Sequence, residues 1–357
     1  MDPHQGPAPN LFVTFELDRV THKRRDSAWV ERQLQDPGTH FVPVWQSENL
    51  FTEEPVPRAR FLARREIDGL TQQAESIVLL GQVPGQAHER EASPQHQERH
   101  GPPGLRATRV ACNPLPGAYF AVGFPPGDGP PPEALTKLGW FRNLRHVGAL
   151  LDPWEGALLA YARAMAYWHR RQQFCGKCGS PTTSAEGGHV QVCTNPRCGQ
   201  EHFPRTDPAI IVLVTSGERC LLGRKAFWPA GLHSIIAGFV EPGESLEAAV
   251  AREVAEETGV SLQAVHYHSS QPWPFPKSLM LGFTAQAASE DIHLNDGELE
   301  TVRWFSRQEI QEGLQEGSLQ LPTAISISHR LIEEWFDAQA PSRPLHEIAS
   351  LDAHQRR

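Results

Sequence analysis

Apolar positions in the first 150 residues fall into short runs at Thr39–Trp45, Ser76–Leu80 and Ala118–Val122. Polar or Pro-rich stretches separate them, which predicts strands of a β-rich domain of its own, ending near Leu151. Gln86–Gly104, rich in His, Glu, Gln and Pro, and the Pro/Gly tract Pro125–Pro132 read as loops. The period changes at Trp154–Arg171. There Leu158, Ala162 and Met165 recur at helical spacing, with neither Gly nor Pro after Gly156, so a helix linking two domains is expected. Beyond it, strand patterns at Ala209–Val214 and Ser234–Ala237 precede a helix signal at Ser245–Thr258, an alternation that predicts an α/β domain to about Asp337. The expected organisation is therefore 1–151 β-rich domain, 152–173 linker helix, 174–204 cysteine module, 205–340 catalytic domain and 341–357 flexible tail.

Composition narrows the class. The 357 residues are 39% hydrophobic and 21% charged, values of a globular chain with room for more than one core. A formal charge of -9 disfavours nonspecific polyanion binding by the whole surface and leaves room for a local basic patch. No apolar run reaches the roughly 18 residues of a membrane span, and the opening MDPHQGPAPN lacks the basic and apolar parts of a signal peptide. A soluble, cytoplasmic protein is expected. Cys112 and Cys220 stand far apart, which is not a secreted disulfide framework and points to a reducing compartment.

The other four cysteines form Cys175-x2-Cys178, fourteen intervening residues, and Cys193-x4-Cys198. Two thiolate pairs on tight turns suit tetrahedral Zn²⁺, and four protein ligands leave no open position, so the zinc would be structural. Buried or disulfide-bonded cysteines are the plain alternative. Arg170, Arg171, Lys177, Arg197 and Arg205 surround the module, which admits a zinc-ribbon RNA-binding role, although a solvated basic face is the commoner explanation.

The densest chemistry lies between Gly238 and Val260. At about 100° per residue, Glu253, Glu256 and Glu257 occupy one face of two helical turns. Like charges so close destabilise a plain helix, whereas Mg²⁺ or Mn²⁺ seeks oxygen ligands of this density when it bridges to phosphate. Gly238 and Gly243 allow a tight loop, Ser245 is a cap, Gly259 ends the helix, and Arg252 is placed to anchor Glu244. A solvated acidic face would explain three glutamates alone. It does not explain the full pattern G-x5-E-x7-R-E-V-x-E-E-x-G-V.

That pattern resembles the Nudix box without a departure. The resemblance implies an α/β/α sandwich around a mixed sheet and hydrolysis of a nucleoside diphosphate linked to another group. It places metal-binding carboxylates at Glu253 and Glu257, helped by Glu256, and a carbonyl ligand at Ala237. Such a cation would polarise phosphoryl oxygens and activate a water whose proton Glu256 or Glu257 accepts.

After the box comes Gln271-Pro272-Trp273-Pro274-Phe275-Pro276-Lys277-Ser278. Three alternating prolines exclude helix, and in an extended stretch Trp273 and Phe275 point the same way, a stiff aromatic surface able to stack a base. A hydrophobic loop anchor is the plain alternative. SQPWPFPxS is similar to the hallmark of the NADH pyrophosphatases within the Nudix family, NAD-capped RNA hydrolases included. This resemblance covers about Leu150 to Asp337, and the first 150 residues fit the degenerate Nudix-like domain expected there. It implies that Gln271–Ser278 line the dinucleotide, that Phe239 stacks on a ring, and that Glu298 completes the Mg²⁺ or Mn²⁺ site. It also implies that Phe203 supplies an aromatic ring across a homodimer interface and that Ser328 touches substrate; Arg145 joins them by local match. The expected reaction splits NADH or NAD⁺ into nicotinamide mononucleotide and AMP and removes NAD caps from RNA. The rivals are a Nudix enzyme for ADP-ribose or a dinucleoside polyphosphate, and a zinc-ribbon RNA-binding protein.

Overall fold

The computed structural model describes residues 10–13, 17–52, 56–85, 114–127, 130–294, 297–340 and 342–348. The loop expected at Gln86–Gly104 and the residues after 348 lie outside them, as do Cys112 and Asp296.

Six strands build the N-terminal sheet: β1 (His40–Trp45), β2 (Glu48–Phe51), β3 (Leu62–Ala63), β4 (Ser76–Val83), β5 (Gly117–Phe124) and β6 (Trp140–Arg142). Their order is β4-β5-β1-β2-β6, with β3 also on β1; only the β1–β5 pair is parallel. One face is covered by the helix Pro153–Arg171, through Leu158, Ala162 and Met165. The helix expected there is present, but it packs into the N-terminal core; it is capped by Asp152 with Pro153 in its first turn, where a missing N–H costs nothing.

A small three-stranded sheet follows, β7 (Thr182–Ala185), β8 (Val190–Cys193) and β9 (Glu201–His202), with β8 in the middle. The last sheet comprises β10 (Asp207–Ser216), β11 (Arg219–Arg224), β12 (Ile236–Phe239), β13 (Leu262–Trp273), β14 (Ser278–Ala287) and β15 (Thr301–Ser306). Its order is β13-β14-β10-β11-β15, with β12 on β10, and only β10–β14 is parallel.

Alternation along β10 explains the layers. Ile210, Val212 and Val214 face Ala249, Val250 and Val254 of the helix Leu246–Thr258, while Ile211 and Leu213 face Leu331 and Phe336 of the helix Ile327–Asp337. A central strand buried on both faces reads as an unbroken apolar run for this reason. The result is the mixed-sheet α/β/α sandwich expected. Two local expectations are corrected. The strand placed at Ser234–Ala237 is Ile236–Phe239, because pairing with β10 begins only at Ile236. The region assigned to a flexible tail contributes Leu345 and Ile348 to the core beside Phe336, and the Leu345 N–H donates to Asp337 Oδ1 at 2.8 Å. Two apolar side chains four residues apart or fewer, next to an uncovered helix end, are enough to dock a short segment. Among the described residues no helix is long and apolar enough to cross a membrane.

Candidate active site

β12 runs into a tight loop and then the glutamate helix Leu246–Thr258. Ser245 accepts a hydrogen bond from the Ala248 N–H, and Gly259 closes the helix at φ 73°, a conformation that glycine adopts without penalty. Arg252 organises everything between. Its guanidinium donates to both carboxylate oxygens of Glu244 at 2.6 and 2.9 Å, to Glu253 and Glu256 at 2.9 Å each, and to the Phe239 carbonyl at 3.0 Å. The expected Arg252–Glu244 anchor is present, and it holds the Glu244 carboxyl down at about 2, helped by the Glu241 N–H.

The three glutamates occupy different environments. Glu256 is half-exposed, Glu253 is mostly covered, and Glu257 is 2% exposed. Glu253 lies against the backbone of Gly238 so closely that a Cβ there would stand 1.8 Å from its carboxyl carbon, so any side chain at this position would push that carboxylate aside. Burial raises the pKa of Glu253; Arg252 opposes the rise, and Glu256 and Glu298 add to it. Glu298 thus belongs to the same field of negative charge, and it is ion-paired with Lys225. Oxygen donors of this kind fit a hard divalent cation, which would relieve the mutual repulsion. Ala237, on β12 opposite Ile211, lies at the mouth of the same loop.

The cysteine module differs. All four Sγ atoms of Cys175, Cys178, Cys193 and Cys198 lie within 4.8 Å of one another. Four sulfur atoms gathered in this way would hold a structural zinc with no position left open for substrate. Among the described residues the other group that converges so tightly is Glu333, Asp337 and His346; the three box glutamates do not all come within that distance of one another.

The aromatic loop is a hairpin turn. Trp273 ends β13 and pairs with Ser278 of β14, leaving Pro274–Lys277 as the turn, with the Phe275–Pro276 peptide cis. The expected extended aromatic stretch is corrected at this point: Trp273 and Phe275 meet edge-to-face at 4.9 Å, and Phe275 is 7% exposed, packed into the N-terminal core with Phe12. Pro272 and Pro276 are exposed and Pro274 is buried. Lys277 reaches Asp207 at 2.9 Å, and Ser278 is half-buried. The Gln271 amide is spent internally, donating to the Ile325 and Leu11 carbonyls and accepting from the Ile327 N–H. Ser328 is buried with its hydroxyl 2.8 Å from that of Ser234. Phe239, beside the box, and Phe203, on the cysteine module, are both about 60% exposed.

Three groups escaped the sequence. Asn10 bonds to Ser269 Oγ and the Ser270 carbonyl, and accepts from Arg330; Arg163 donates to the Pro274 carbonyl; Lys225 pairs with Glu298. Only Arg163 left a trace, as a cation amid the buried positions of an apolar helix.

Comparison with known proteins agrees with this geometry. The NUDIX domain profile matches residues 205–323, and the NADH pyrophosphatase zinc ribbon domain profile matches residues 170–203. NAD-capped RNA hydrolase NUDT12 of Macaca fascicularis is 33% identical over 362 residues, covering 91% of this chain and 73% of that protein. NAD-capped RNA hydrolase NudC of Mycobacterium bovis (strain BCG / Pasteur 1173P2) is 43% identical over 203 residues, covering 54% of this chain and 64% of that one. A solved NUDIX hydrolase from Nitrosomonas europaea aligns with 48% of this chain and 94% of its own at 23% identity, with a TM-score of 0.37. The chain belongs to the Nudix hydrolases, in the group that joins the Nudix domain to an NADH pyrophosphatase zinc ribbon.

Proposed function

We propose that this protein hydrolyses the pyrophosphate bond of NADH or NAD⁺ to nicotinamide mononucleotide and AMP, and removes NAD caps from RNA 5′ ends. The observation that carries the reading is the intact carboxylate cluster around Arg252, with Phe239 exposed at its edge. The relatives named NAD-capped RNA hydrolases support the same substrate, as does the SQPWPFPxS segment.

Glu253, Glu257, Glu298 and the Ala237 carbonyl would hold Mg²⁺ or Mn²⁺. When bound, the cation supplies Lewis-acid stabilisation of the phosphoryl oxygens and lowers the pKa of an attacking water. Glu256 or Glu257 takes the water's proton as the new P–O bond forms and the bridging oxygen leaves with the other nucleotide. Phe239 offers a ring face for stacking, and Lys277, in the turn, is held by Asp207. Gln271 and Ser328, expected to touch substrate, are buried and bonded within the protein. Phe203, exposed on the ribbon, suits a homodimer in which each chain lends a ring to its partner. A reducing compartment such as the cytoplasm would suit a thiolate-bound zinc.

Turnover of NADH, NAD-capped RNA and ADP-ribose, compared with product analysis, tests the reading. Nicotinamide mononucleotide and AMP from NADH are expected; a much larger rate on ADP-ribose overturns it.

A further inference from the structure

The turn assigned to the dinucleotide is gripped from below by the N-terminal half of the chain. Arg163, on the helix Pro153–Arg171, donates to the Pro274 carbonyl, and its guanidinium stands 4.7 Å from the centre of the Phe275 ring. Arg145 donates to the next carbonyl, that of Phe275, at 3.2 Å, and stands 4.8 Å from the same ring. Phe12 closes a further side of that ring. Arg163 is 7% exposed and its Nε has no hydrogen-bond partner. Among the described residues neither arginine lies within ion-pair distance of a carboxylate.

A guanidinium buried without a counter-ion is costly, and a well-packed apolar side chain would be the more stable choice. Burial, with Arg145 as a like charge, brings Arg163 down to about 10, so it still carries its proton at neutral pH. Its cost calls for a gain in geometry. Prolines 272, 274 and 276 fix φ along the loop but leave ψ free, and a carbonyl's direction is set by ψ. Two cations on two successive carbonyls remove the freedom that the prolines leave.

We propose that Arg163 and Arg145 are positioning residues: from the N-terminal domain they lock the Trp273–Lys277 turn in the shape that binds the dinucleotide. The inference rests on the proposed function for its substrate, and on the contacts above for the lock itself. It gives the N-terminal domain a task in substrate binding without any residue at the reacting phosphates.

The test compares Arg163→Met, Arg163→Lys and Arg145→Met with the wild type in NADH kinetics, melting temperature and amide hydrogen exchange over residues 271–279. Arg163→Met should raise KM for NADH by about tenfold or more while kcat changes by less than about threefold. Exchange in the turn should quicken, and the melting temperature should hold or rise because a buried charge is gone. Arg163→Lys, keeping one donor, should fall between, and Arg145→Met should shift KM the same way. KM and exchange within about twofold of wild type in all three variants would overturn the lock. So would losses confined to kcat and melting temperature, the signature of damage to the fold. A wild type inactive on NADH would overturn the functional reading instead, while the exchange data still decide the lock.

Discussion

The N-terminal and catalytic sheets are two copies of one topology. Strand for strand, β4-β5-β1-β2-β6 with β3 on β1 repeats as β13-β14-β10-β11-β15 with β12 on β10, each with a single parallel pair at its centre. A long helix covers the corresponding face in each, Pro153–Arg171 and Ile327–Asp337. What differs is the segment after the third strand. In the catalytic copy it is a 13-residue helix whose Glu253 and Glu256 accept from Arg252, with Glu257 buried one residue further on. In the N-terminal copy it is the four residues Arg64–Ile67, whose one carboxylate, Glu66, caps its own helix at Ala63 and pairs with Arg60. One fold thus carries a reactive site in one place and ordinary helix capping in the other, so activity resides in the grafted residues and not in the sheet.

Substitutions at matched places would sharpen that contrast. Glu257→Gln should lower NADH turnover on the order of a thousandfold, since several kcal/mol of transition-state stabilisation depend on the cation site. Glu66→Ala should leave turnover alone and cost about 1 kcal/mol in denaturant unfolding, as loss of a cap does. Equal effects on activity would erase the distinction between the copies. A step smaller, Gly238→Ala should displace the Glu253 carboxylate and reduce kcat about a hundredfold, with circular dichroism unchanged. Kinetics like those of wild type would show that Glu253 is not a ligand. Next, Arg252→Met should free Glu244 and the loop that it anchors, and weaken Mn²⁺ activation by about tenfold in a metal titration.

The smallest effect concerns the matched covering helices, one burying Arg163 and the other holding Glu333 partly covered. Burial, then the charges of Asp337 and Glu334, push Glu333 up to about 7, against Arg330. A carboxyl raised in the fold keeps its full contribution below its unfolded pKa and loses stability as pH climbs toward 7. Glu333→Gln should therefore raise stability by about 1 kcal/mol at pH 8, after allowance for solvent screening, with no difference at pH 4. A gain that persists at pH 4 would contradict the assignment.

Local spacing made the catalytic box, the thiolate set and the linker helix readable in the chain. Each is a contiguous stretch whose chemistry follows from helical or turn periodicity, as with Arg252 reaching Glu244 across two turns. The shifted strand Ile236–Phe239 was misplaced by two residues because its bounds depend on β10, not on its own apolar run. Leu345 and Ile348 read as tail because the surface they cover is made by a helix end and not by their neighbours in sequence.

The sequence by itself determined which donor atoms are present and, through short-range periodicity, that glutamates share one helix face and cysteines pair on turns. Tertiary structure alone decided that Phe275 is buried and not displayed, that Gln271 is spent on Ile325 and Ile327, and that Arg163 and Asn10 meet the hairpin of β13 and β14. Those contacts join residues more than fifty positions apart, and no local rule of propensity or spacing reaches that far. Burial is a property of the assembled layers, set by what the rest of the chain places on top.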